Sequence, residues 1–114
     1  MAGTDAMNPF CFPGFSLHDE LAMMVDSGMT PLAARQSATI NPAKFLAGGE
    51  SKLSANDFSV IEPGRIANLV LLRAGPLADI HNTTQIQAVW LRGKYFDQAA
   101  LAQLLETAKQ AAKR

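Results

Sequence analysis

Cysteine is nearly missing from this chain: Cys11 stands alone. No internal disulfide can form, and a reducing compartment, the cytoplasm first, is the expectation. Histidine is scarce too, with only His18 and His81. A closed structural zinc site takes four Cys or His ligands, and His18, His81 and Cys11 show none of the usual spacings. An excess of charge of either sign is absent, since ten basic and ten acidic side chains cancel to a net charge of zero. No strong field is available to steer DNA, RNA or an anionic membrane, so neither nucleic acid nor membrane is an expected partner. Long hydrophobic runs are lacking, and Leu69-Val70-Leu71-Leu72 is far short of the roughly 20 residues that span a bilayer. No basic segment leads into an apolar one at the N-terminus, so no signal peptide is expected. Internal repeats and low-complexity tracts are also absent.

What is there is ordinary globular sequence, 48% hydrophobic and 18% charged over 114 residues. A compact chain of that length buries roughly two-thirds of its unfolded surface. Residues 6–15 are broken by Pro9 and Pro13 yet carry Phe10, Phe12 and Phe15. Such a loop either closes a core or walls a substrate pocket. Ser16 reads as the cap of a first helix, with Asp19 three positions on completing a capping-box pattern. Leu17, Leu21, Met24 and Val25 share one face, widened by Ala22 and Met23, so this helix is expected to be substantially buried. Gly28 ends it in the position that favours a left-handed backbone. Thr30-Pro31 opens a second helix as cap and first residue. Asn41-Pro42 repeats the device for a short third helix over 43–47, stopped by Gly48-Gly49.

The second half changes character. Residues 48–58 are polar and glycine-bearing and read as a surface loop. Glu62-Pro63-Gly64 is a tight turn. Residues 68–72 form a strand whose continuous apolar run predicts cover on both faces. Residues 76–80 suit one helical turn. Residues 86–91 and 94–96 form a hairpin across Arg92-Gly93. Asp97 caps a last helix over about 98–113, with Leu101, Leu104, Leu105 and Ala108 on its apolar face. Of the chemical candidates, His18 reads as a solvated or capping side chain, and His81 as surface. Asp5 reads either as an ordinary solvated carboxylate or as part of a site.

Several stretches taken together carry a resemblance. Gly3-Thr4-Asp5-Ala6 is followed by Phe15-Ser16-Leu17-His18-Asp19-Glu20-Leu21. Then come Gly28-Met29-Thr30-Pro31-Leu32-Ala33-Ala34 and Ala38-Thr39-Ile40-Asn41-Pro42-Ala43. The series ends with Ile61-Glu62-Pro63-Gly64-Arg65-Ile66-Ala67-Asn68-Leu69-Val70-Leu71-Leu72, Pro76-Leu77-Ala78-Asp79-Ile80 and Val89-Trp90-Leu91-Arg92-Gly93-Lys94. In order and spacing this resembles the C-terminal third of the metal-dependent amidohydrolase superfamily, in the branch with imidazolonepropionase-like and prolidase-like enzymes.

The resemblance implies an α/β fold in which this chain is the C-terminal fragment of a (β/α)₈ TIM barrel, followed by C-terminal strands of a small β-sandwich and a terminal helix. Residues 1–49 would be the end of the barrel, 50–96 the sandwich strands and 97–114 the helix. It implies a divalent metal, commonly zinc, in the full-length enzyme. The family's ligands are a His-x-His pair, a central lysine or glutamate, two further histidines, and an aspartate ending the eighth strand that also takes a proton from metal-bound water. By position, that aspartate is Asp5, in both its catalytic and its metal-binding role. The implied activity is hydrolysis of a carbon–nitrogen bond in a small amide or peptide-like substrate.

The sequence departs from the pattern at three points. It carries no His-x-His, central lysine motif or paired strand-end histidines; only Met1-Ala2 precede Gly3; and Asn68 stands where the family has aspartate. The expectation for this chain by itself is therefore an inactive segment that binds no metal alone. The alternative is a non-catalytic folded piece that self-associates as a homo-oligomer, or docks onto a missing N-terminal barrel portion.

Overall fold

A computed structural model describes residues 1–5, 8–9, 11–48 and 60–113. Residues 49–58 of the loop expected over 48–58, Phe10, and residues 6 and 7 lie outside the described residues. Three helices come first: α1 over Phe15–Asp26, α2 over Pro31–Ala38 and α3 over Ile40–Ala47. Strand β1 over Leu69–Leu72, a 3-10 turn over Ile80–Thr84, and the hairpin of β2 (Ile86–Leu91) and β3 (Lys94–Phe96) follow, closed by α4 over Gln98–Ala112. The strands make one antiparallel sheet in the order β1-β2-β3. The chain is thus mixed α/β with a single small sheet among the described residues. Residues 1–5 form no regular element.

Local chemistry explains most of the boundaries. Thr30 accepts a hydrogen bond from the Ala33 amide at 3.2 Å, with Pro31 at the first helical position. Asp97 does the same for the Ala100 amide at 2.8 Å. Gly28 adopts φ 100°, and the Gly28 and Met29 amides reach back to the Val25 and Met24 carbonyls. That pairing closes α1 with a left-handed residue that a side chain would strain. Arg92 and Gly93 take φ 50° and 80°, so two left-handed residues link β2 to β3, the backbone twist a two-residue hairpin loop requires.

Two helix starts differ from expectation. Gly14, at φ 83°, turns the chain two residues early, so α1 begins at Phe15 and Ser16 lies inside its first turn. The Ser16 hydroxyl accepts from the Phe12 amide at 2.7 Å, so it ties the preceding loop to the helix without capping it, and Asp19 completes no box. Likewise α3 begins at Ile40 behind Thr39, so Asn41 is no cap. Pro42 is tolerated there because the amide it lacks belongs to a first turn with no intrahelical acceptor.

The core is small. Leu21, Ala34 and Ile80 are buried together, with Leu17, Ala22, Met24, Val25 and Ala38 packed around them. Only Leu21 of α1 is buried and Met23 is 66% exposed, so the helix is less covered than its apolar face predicts. Ile80 carries the 3-10 turn into this cluster, and α1 packs on both that turn and α2. Buried Ser37 is satisfied by the Ala34 carbonyl at 2.7 Å and the Met24 sulfur at 3.3 Å.

The sheet is thinly covered. Helix α4 packs on β2 and β3, while β1 meets β2 and the 3-10 turn. Val70 and Leu71, which project to opposite faces, are both exposed, against the expected cover on both sides of the strand. An apolar run favours burial but cannot supply the layer that buries it. Trp90 and Tyr95 pair across the hairpin with ring centroids 4.9 Å apart. Asn68 accepts from the Arg92 amide at 2.8 Å, so the residue that departs from the family aspartate serves the hairpin turn.

Candidate functional site

Asp5 sits in a short segment held from two sides. On its N-terminal side the Ala2 amide donates to the Ser37 carbonyl of α2 at 2.8 Å. The Gly3 amide faces both carboxylate oxygens of Glu20 on α1, at 2.9 and 3.1 Å. On its C-terminal side the Asn8 amide donates to the Asp5 carbonyl at 3.0 Å, and the Asn8 side-chain nitrogen donates to Asp5 Oδ2 at 2.6 Å. Asp5 itself has φ 49°, a left-handed backbone that Asp tolerates better than most residues. The carboxylate is exposed, with Oδ2 engaged and Oδ1 taking no hydrogen bond among the described residues. Chemically it is a carboxylate aimed by one amide, with one oxygen left to accept a proton or contact a ligand.

The other sequence candidates fall elsewhere. His18 is half-buried, and its Nδ1 lies 3.1 Å from the Thr83 hydroxyl, joining α1 to the 3-10 turn across 65 positions. That corrects the reading of a solvated or capping side chain, because the 3-10 turn is folded over it. His81 is exposed, as its turn suggests. Its backbone amide and then its ring, 2.8 Å from Asp79 Oδ1, hold the Asp79 carboxyl below its ordinary value. Cys11 is half-buried and unpaired by disulfide. Phe12 and Phe15, offered as core or pocket wall, are 64% and 61% exposed. An open depression of about 460 Å³, lined by Arg73, Gln87, Tyr95, Asp97, Gln98 and Ala99, lies between the sheet and the start of α4 and includes none of the residues around Asp5.

No group of three His, Cys, Asp or Glu side chains converges to hold a metal among the described residues. Asp5 can supply one hard oxygen donor, while His18 and His81 are engaged with Thr83 and Asp79. One carboxylate does not make a closed metal site, so the described residues by themselves do not fit the divalent metal that the resemblance implies. Two members of the Asp5 arrangement were not legible as such in the sequence. Asn8 has a local signal, an Asp and an Asn three positions apart, whereas Glu20 lies 17 positions from Gly3 and has none.

Comparison with known proteins adds two findings. The family model described as the amidohydrolase family matches residues 1–95. A crystal structure of a Xaa-Pro dipeptidase with bound methionine in the active site is similar at 29% identity and a TM-score of 0.61. The match covers 70% of this chain and 18% of that one, so this chain spans under a fifth of the length of the structure it resembles. No curated protein matches it. At the level of the superfamily these findings agree with the resemblance carried by the motifs.

Proposed function

Because this chain belongs to the amidohydrolase family, we propose that it forms the C-terminal segment of an enzyme that hydrolyses an amide-type carbon–nitrogen bond. Asp5 is the carboxylate that accepts the proton of the attacking water in that enzyme. A positioned carboxylate contributes to such a step by taking the proton as the water's oxygen bonds to the carbonyl carbon. Members of this family are generally metal-dependent. The remaining ligands of such a metal, and the walls that choose the substrate, would come from sequence beyond the described residues. The observation that carries the reading is the Gly3-Thr4-Asp5 segment, at the start of the family match and tied to α1 and α2 by the Gly3 and Ala2 amides. The similarity to a Xaa-Pro dipeptidase favours a short peptide as substrate.

The deciding experiment joins this chain to the barrel portion of a dipeptidase of that kind and assays release of amino acid from Xaa-Pro dipeptides and simple acyl amides. Turnover of at least one amide is the expected result. A folded, metal-loaded assembly that cleaves no carbon–nitrogen bond would overturn the reading.

A second reading has its own observation. The accessible surface is 8430 Å², against about 6100 Å² for a compact monomer of 12.2 kDa. The radius of gyration is 15.2 Å, against about 13 Å for a domain of this length. Phe12, Phe15, Met23 and Phe45 are all more than 60% exposed. Exposed apolar side chains such as these favour association, at about 25 cal/mol for each Å² removed from water. The isolated chain is therefore expected to sediment as a dimer or larger species at tens of micromolar. A sharp monomer boundary across that range would count against self-association.

A further inference from the structure

We infer that Glu20 is a positioning residue for the Asp5 carboxylate, acting through the Gly3 backbone amide. The inference rests on the reading of Asp5 as the proton-accepting carboxylate and goes beyond it by naming what holds that group in place.

The helix itself does not call for an acid at this place. Glu20 is the sixth residue of α1, past the first turn where a carboxylate complements the positive helix end. It forms no ion pair among the described residues. Its side chain is half-buried, and both of its oxygens face one donor, the Gly3 amide, at 2.9 and 3.1 Å. A hydrogen bond from a backbone amide to an ionised carboxylate is stronger than one between neutral groups.

Two residues further along, Asp5 takes its left-handed backbone at φ 49°. A non-glycine residue keeps such a conformation where its surroundings over-determine it. Here the surroundings are the Glu20 and Ser37 anchors before Asp5 and the Asn8 contacts after it. Asn8 grips one carboxylate oxygen, so the direction of the other depends on where the backbone sets Asp5. Glu20 fixes that backbone to α1, whose buried Leu21 is the next residue in the chain. The position of Asp5 is thereby referred to the core.

The test is nuclear magnetic resonance of the full chain, labelled with ¹⁵N, comparing wild type with Glu20→Ala, Glu20→Gln and Asp5→Ala. In the wild type the Gly3 amide proton and one Asn8 side-chain proton are expected downfield, as bonded to carboxylates. In Glu20→Ala both move to the positions of solvated amides, while the helical circular dichroism is unchanged. In Glu20→Gln, which keeps an acceptor of the same shape, both recover part of the way. In Asp5→Ala the Asn8 signal is lost and the Gly3 signal stays. An Asn8 signal unmoved by Glu20→Ala would reduce Glu20 to a local tie and overturn the inference. If Glu20→Ala fails to fold, Glu20→Gln decides: its loss of the carboxylate charge must move both signals in the same direction. Neither readout depends on turnover, so failure here leaves the hydrolase reading standing. An inactive assembly with both signals intact would count against that reading alone.

Discussion

Asp5→Asn is expected to lower amide hydrolysis by the assembled enzyme by about 10²–10⁴-fold in kcat, the range that a positioned general base contributes. The substitution separates charge from geometry unusually well at this position. Asparagine occupies the left-handed region at least as readily as aspartate, so the φ of 49° is retained without added strain. The Asn8 side-chain nitrogen, 2.6 Å from Asp5 Oδ2, can donate to the new amide oxygen instead. The fold and the direction of the side chain should therefore survive, and what disappears is the carboxylate to which the proton would pass. Steady-state kinetics on a dipeptide substrate would read this as a fall in kcat with the melting temperature unchanged. Retention of activity within about threefold would remove Asp5 from the proton-transfer step.

The second large effect concerns stability. Leu21→Ala is expected to cost about 2–4 kcal/mol, within the range for truncating a buried leucine. Leu21 is 5% exposed and packs against Ala34, at 0%, and Ile80, at 3%. Ala34 has no flexible side chain to move into the space, while Leu17 and Met24, packed around the cluster, can fill part of it, which keeps the cost below the top of the range for such truncations. The loss is serious because small domains hold only about 5–15 kcal/mol in total. Met23→Ala, two positions away at 66% exposure, is the control and should change stability by about 0.5 kcal/mol or less. Urea denaturation followed by circular dichroism gives both values. Equal midpoints for the two variants would mean that the cluster of Leu21, Ala34 and Ile80 is not the stabilising core.

Features that obey local rules were legible in the sequence. The Thr30 and Asp97 caps, Gly28 at the end of α1, and the turn at Arg92-Gly93 each depend on residues within five positions of one another. Where a local rule has a competitor, the local pattern misplaces the boundary. Ser16 has a capping pattern, but the Gly14 backbone turns first and moves the helix start. Features that join distant stretches could not be read. The pairing of His18 with Thr83 and of Glu20 with Gly3 leaves no periodicity or spacing behind. Burial was the least legible quantity. An apolar stripe states what would be buried if a neighbouring layer existed, and β1, with Val70 and Leu71 exposed, lacks that layer among the described residues. The candidate site divides the same way. Family motifs point to Asp5, whereas the residues that hold it, Glu20 and Ser37, are found by geometry alone.

The contact of the 3-10 turn with α1 has a consequence for how the chain acquires its structure. The His18–Thr83 hydrogen bond closes a loop of 65 positions, and Ile80 enters the helical core from nearly as far along the chain. Closing a loop of that length carries an entropic cost of about 3.7 kcal/mol beyond a constant, from the logarithmic dependence on loop size. Helices α1 and α2 can form within microseconds of one another, but their shared core is incomplete until that closure. On the ribosome, at about 5–20 residues per second, the helical pair would wait several seconds for residues 80–83 to be added. Throughout that interval Leu21 and Ala34 lack their third partner, which makes the nascent helical pair the species for which chaperone binding or premature association would compete.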